Sequence, residues 1–196
     1  TNGTLLKKQQ EMLLRSPALH KINISLHAVE ANDLSVPFEE YLHDCFAFGK
    51  ASAGQKLVVY RLWNNGGEDT QNREILDTMG AFFPENWVKE RLGTRIAHRT
   101  YLEYGDKFDW PDLAAPEGSQ KVFCYGLRDQ LGVLCDGTVV PCCLDHDGDL
   151  ALGNLLHQNM EEILASPRAK AIYEGFSNRE AAEELCRKCG YARRFI

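Results

Sequence analysis

The sequence predicts an α/β region built on a parallel sheet, followed by a smaller α+β region with one β-hairpin and short helices. Three observations carry that division. Strand-like and helix-like patterns alternate through the first half, the stretch PDLAAPEGSQ at 111–120 breaks all periodicity, and six of the seven cysteines lie beyond it. Alternation of strand, helix and strand implies parallel strands joined by crossover helices.

In order along the chain, residues 5–14 have helical spacing, with Leu5, Gln9, Met12 and Leu13 near one face. Residues 21–27 alternate, Ile22, Ile24 and Leu26 on one side against Asn23, Ser25 and His27 on the other. Residues 37–49 read as a helix that starts at Pro37 and stops at Gly49. The run KLVVYRLW at 56–63 is almost wholly apolar, as suits a strand covered on both faces. Asp69 or Thr70 is placed to cap a helix ending near Gly80, a further helix is expected over 84–93, and 95–101 reads as a strand.

Past the break at 111–120, read as a linker, the pattern changes. Residues 131–135 and 138–142 flank Asp136-Gly137, which signals a two-residue type I′ hairpin. Asn159 with Glu162, and Ser177 with Glu180, have capping-box spacing. Ser166-Pro167 looks like an N-cap followed by proline at the first helical position, with Gly175 ending that helix. A last short helix would deliver Cys186 and Cys189.

Composition excludes several classes. A chain of 196 residues, 44% hydrophobic, can bury a real core of one or two domains. Its net charge of −6 argues against nucleic-acid partners, because no basic face offsets the carboxylates. No apolar run approaches a membrane span and no secretory leader is visible, which points to a cytoplasmic protein without a membrane partner. The chain opens at Thr1 rather than at methionine, and is read as a fragment. The six histidines show neither HxxxH nor HExxH spacing, and the DHDGD run at 145–149 reads as a solvated acidic loop.

An odd number of cysteines with a tight CxxC suits metal ligation better than disulfides. With Asp136-Gly137 as a two-residue turn, Cys135 opposes Thr138 and Leu131 opposes Cys142. Cys135 and Cys142 would then lie about 13 Å apart along the strands, too far to share one small metal core. Cys143 would face away from Cys142 in extended chain, so one of that pair binds and Cys143 is the alternative to Cys142; Cys45 falls in a helix as a core thiol. Cys124, Cys142, Cys186 and Cys189 remain, a thiolate tetrad from three segments that suits either an iron–sulfur cluster or a structural zinc.

The stretch 124–189 resembles the auxiliary-cluster region, SPASM or its shortened "twitch" form, of radical S-adenosylmethionine enzymes. Cys124, twelve intervening residues, Gly137, four more and Cys142 match the opening of that motif. DGTVVPCC at 136–143, LGNLLHQNMEEIL at 152–164 and CRKC at 186–189 match the rest. In the first half, TNGTLL, INISLHA and RLWN resemble successive strand ends of the family's barrel. The resemblance implies a partial (β/α) barrel over 1–112, a linker at 113–120 and a SPASM/twitch domain over 121–196. It implies one auxiliary 4Fe–4S cluster on Cys124, Cys142, Cys186 and Cys189. Asn2, Ser25 and Arg61 would contact S-adenosylmethionine, with Asn23, His27 and Asn64 nearby.

The match also has gaps. The family's radical chemistry needs a CxxxCxxC loop, and none occurs in these 196 residues. The chain alone is therefore expected to be unable to cleave S-adenosylmethionine. The further cysteine of a full SPASM region would fall at Phe195, so the single-cluster form fits better. The expected role is electron transfer or substrate positioning during radical modification of a peptide or small molecule, with a flavodoxin- or ferredoxin-type donor. The competing expectation is a non-enzymatic zinc module that organises a small interaction domain.

Overall fold

Strand β2 (Leu57–Asn65) is central because both of its faces are apolar enough to be covered. Val58, Tyr60 and Leu62 are fully buried on one face, and Val59 nearly so on the other. β1 (Lys21–Ser25) and β5 (Thr100–Asp106) pair with it in parallel, one on each side. β4 (Gly93–Ala97) and β3 (Val88–Glu90) continue the sheet antiparallel, giving the order β1-β2-β5-β4-β3. Helices α1 (Leu6–Arg15), α2 (Phe38–Ala51) and α3 (Asn72–Phe82) bring Leu6, Leu42, Phe46, Ile75 and Met79 into one core with Ile24, Tyr60 and Leu102. This computed structural model describes every residue except 32, 33, 35, 53, 117 and 196. Thr1–Lys107 forms one compact unit and Phe108–Ile196 another. Among the described residues no helix is long and apolar enough to cross a membrane.

The first unit departs from the sequence reading in several places. β1 ends at Ser25, and Leu26–Ala31 curls into a 3-10 helix instead of extending the strand to His27. The His27 ring then takes the place of a strand neighbour: the Trp63 amide donates to its Nδ1 at 3.2 Å. Residues 84–93 form no helix. They run into the β3–β4 hairpin, closed by Arg95 on Glu90 at 2.7 Å, so the sheet is mixed rather than wholly parallel. The single strand expected at 95–101 is two, joined at His98 and Arg99. Helix α3 takes Gln71 as its N-cap in place of Asp69 or Thr70.

In the second unit, β6 (Gly132–Val133), β7 (Thr138–Val140) and β8 (Gly153–Asn154) make a small antiparallel sheet, and α4 (Met160–Leu164), α5 (Pro167–Ser177) and α6 (Glu184–Arg187) follow. The hairpin exists, but its register is one residue off the expected one. Val133 faces Val139, the Leu134 amide donates to Thr138 O at 2.8 Å, and Cys135, Asp136 and Gly137 form a three-residue loop. The cause is local. Asp136 accepts from both the amide and the hydroxyl of Thr138, and Gly137 adopts φ 86°, the left-handed conformation that closes such loops. Asn159 and Glu162 form the expected capping box, and Ser166 caps α5 ahead of Pro167. Gly175 lies inside α5, which runs on to Ser177. Ser177 donates to Tyr173 O and caps nothing, so α6 takes Glu183 as its N-cap.

Candidate metal centre

Cys124 follows the short bridge at Lys121, Cys142 ends the chain leaving β7, and Cys186 and Cys189 sit on and just after α6. All four line one cavity in the second unit. It is closed by Leu150, Phe176 and Leu185, and by Pro111 from the preceding segment. About 30 Å³ lies open inside, more than the roughly 10–15 Å³ that one water needs. Cys135 and Cys143 are exposed. Cys45 is buried in the first unit beside Tyr41, where burial pushes its thiol up to about 12.

Backbone geometry separates these four from core thiols. The Gly126 amide points at Cys124 Sγ from 3.5 Å, with the Tyr125 amide also favouring the thiolate there. The Leu144 and Asp145 amides do the same for Cys142, and the Ala192 and Tyr191 amides for Cys189. Such donors favour thiolates and are a usual support of metal–sulfur sites. Burial opposes them. It pushes Cys142 up to about 11 and raises Cys124, Cys189 and, most of all, Cys186, where the neighbouring cysteines add to the effect. Crowded, buried sulfurs held in donor-lined loops need a cation to become thiolates together.

A tetrahedral zinc draws its sulfurs to roughly 3.8 Å from one another. Among the described residues no three His, Cys, Asp or Glu side chains are gathered so as to hold a single metal ion. Four cysteines from three segments around one cavity are the donor set of an iron–sulfur cluster. The donor set and the cavity therefore fit an iron–sulfur cluster.

Residues 124–190 match the SPASM family, an iron-sulfur cluster-binding domain.

The chain is also 24% identical, over 223 aligned positions, to the antilisterial bacteriocin subtilosin biosynthesis protein AlbA of Bacillus subtilis (strain 168). That alignment covers 98% of this chain and 48% of AlbA, so the chain spans about half the length of this relative. No solved structure matches it. Both matches support the resemblance read from the sequence, that of a fragment of a SPASM-containing radical S-adenosylmethionine enzyme.

Segment 108–118 is more than a composition break. Gly190 donates to Asp109 O at 3.1 Å, Lys188 Nζ to Leu113 O at 2.6 Å, and Gly118 packs on the Arg187 carbonyl. A Cβ at Gly190 would lie 2.6 Å from Asp109 O, so only glycine allows this closeness. The stretch read as a linker therefore straps the CxxC turn of the SPASM region, with Glu117 outside the described residues. Several charges around the CxxC pair are engaged internally as well. Lys188 pairs with Glu184 at 2.7 Å, Arg187 donates to Ala181 O, and Arg194 stacks over Phe108 and Tyr191.

In the first unit, Ser25, the last residue of β1, is the register neighbour of Arg61 in the middle of β2, and Glu103 on β5 is next in the row. Arg61 Nε donates to Glu103 at 2.9 Å, and its guanidinium lies 4.2 Å from the Trp63 ring centre. Asn2 lies near this row, since Thr1 O accepts from the Ser25 amide. Its side chain, however, turns back to accept from the amide and hydroxyl of Thr4. His27 is held against the backbone of Arg61 and Trp63, and Asn64 is bound to Glu68 O and Asn72. Sequence reasoning missed two residues of the second unit, Asp145 and Arg168. Asp145 sits in a run whose composition resembles a solvated loop, yet it is 2% exposed and lines the cysteine cavity.

Proposed function

We propose that this chain is the cluster-binding part of a radical S-adenosylmethionine enzyme that modifies a peptide. Residues 1–112 supply closing strands of a partial (β/α) barrel, 113–120 join the two parts, and 121–196 form a SPASM/twitch domain. Cys124, Cys142, Cys186 and Cys189 hold one auxiliary 4Fe–4S cluster. The observation that supports this reading most is that those four cysteines, from three separated segments, line one cavity inside the segment that matches the SPASM family.

A cluster with four protein thiolates has no open iron and supplies one-electron transfer, which favours that role over direct substrate binding. The protein's own part is to bury the four sulfurs, aim amides at three of them and exclude water with Leu150, Phe176 and Leu185. Radical generation belongs outside this chain, because no CxxxCxxC triplet is present. Ser25 and Arg61, with Asn2 beside them, are the S-adenosylmethionine contacts this reading assigns; Ser25 closes β1 and pairs in register with Arg61. A peptide is favoured as substrate because the relative is named for bacteriocin biosynthesis. A flavodoxin- or ferredoxin-type donor and a cytoplasmic setting complete the proposal.

The test is metal analysis of the full-length protein purified without oxygen, alongside Cys186→Ala. The expected result is about four irons with labile sulfide at the auxiliary site, lost in C186A, and product formation abolished while S-adenosylmethionine cleavage persists. One colourless zinc at the site would replace this reading with a structural zinc module.

A further inference from the structure

The ligand-bearing segments of the second unit are remote in sequence and have little regular structure between them. Asp145, three residues after Cys142, accepts from the Asp149 amide with one carboxylate oxygen and from the Leu150 amide with the other, both at 2.9 Å. The carbonyls on the far side of that loop face Arg168 near the start of α5. Arg168 donates to Ala151 O at 3.1 Å and to Asp149 O at 3.2 Å. The same guanidinium holds both oxygens of Glu183, Nε on Oε1 at 2.8 Å and Nη2 on Oε2 at 3.1 Å. Glu183 is the N-cap residue of α6, which carries Cys186.

We infer that Arg168 is a positioning residue for the cluster: one planar fork that fixes the loop after Cys142 and the helix of Cys186 at the spacing the cluster needs. This rests on the cluster reading above. Two features support it. The contacts use the planar, multi-donor geometry of guanidinium, which an ammonium group cannot reproduce. The charge of Arg168 is also within electrostatic reach of Cys186 and Asp145, so it bears on the electron affinity of a cluster as well as on its seating. Partners of this kind tune metal sites, and losing one typically lowers metal affinity by about 10–100-fold.

The experiment uses the full-length protein, loaded with iron and sulfide, with Arg168→Ala and Arg168→Lys. Three quantities are read: the rate of iron loss to a ferrous chelator, the reduction potential of the auxiliary cluster, and the urea midpoint of the metal-free form. Both variants should lose iron at least about tenfold faster than wild type. The potential should become more negative in R168A, which lacks the cation, and stay near wild type in R168K, which keeps it. The metal-free midpoint should move far less than the iron-loss rate. Should R168A fail to accumulate, R168K and Glu183→Gln carry the same comparison. Iron loss within twofold of wild type in R168K overturns the inference, and so does iron loss that only follows the metal-free midpoint. Wild-type protein holding no iron at this site would instead remove the reading on which the inference rests.

Discussion

Replacing Asp145 with alanine removes two charge-assisted hydrogen bonds and leaves the amides of Asp149 and Leu150 without acceptors inside the protein. Bonds to a charged group contribute about 1.5–3 kcal/mol each, so the gross loss is about 3–6 kcal/mol. Part of it is returned, because a carboxylate that is only 2% exposed carries a desolvation cost that alanine does not. A net destabilisation of the second unit by roughly 2–4 kcal/mol follows, or about 1–2 M in the urea midpoint of the metal-free protein. Asp145→Asn keeps the shape and one acceptor but turns an NH₂ toward an amide, and should fall between wild type and alanine. Urea unfolding gives the midpoint, and hydrogen exchange at the Asp149 and Leu150 amides gives the local effect. Iron content should fall with the midpoint, because the loop begins at Cys142. Amides as protected as in wild type, with a midpoint within about 0.3 M, would refute the clamp.

Two further outcomes can be checked. The fold favours neutral thiols in the empty site, so their contribution to stability is present below pH 9 and is lost as pH rises through the raised values. For Cys142, the rise from 9 to about 11 corresponds to at most roughly 3 kcal/mol, seen as a falling thermal midpoint of metal-free protein between those pH values. A midpoint flat across that range would contradict it. Gly190→Ala forces a methyl onto the backbone of Asp109 and should cost about 1–3 kcal/mol in the second unit, with reduced iron occupancy measured by metal analysis. An alanine variant with unchanged midpoint and iron would show that the strap yields freely.

What could be read in advance divides along the range of the interactions. The capping box at Asn159 and the Ser166-Pro167 start of α5 are complete within four residues, and the structure has both. Asp136-Gly137 signals a hairpin whichever loop length forms. The choice between them is made by one side chain, Asp136, gripping Thr138. Residues 84–93 resemble a helix because Val88 and Leu92 are four apart, whereas the cross-strand pairing of Glu90 with Arg95 and Tyr101 decides for strands. Arg168 was out of reach for another reason: its partners lie 15 to 19 residues away, and nothing local marks an exposed-looking arginine as a brace. The four cysteines singled out in the sequence line one cavity of the second unit, though they come from segments as far apart as Cys124 and Cys189.

The strap of residues 108–118 has a practical side for anyone who wishes to study the iron-binding half by itself. A fragment started at the family match, or anywhere after residue 118, would leave behind Pro111 and the carbonyls of Asp109 and Leu113, uncovering the sulfurs on one flank. Sensitivity of such a fragment to oxygen or chelators would then describe where it was cut and not the native site. A boundary just before Phe108 retains that wall.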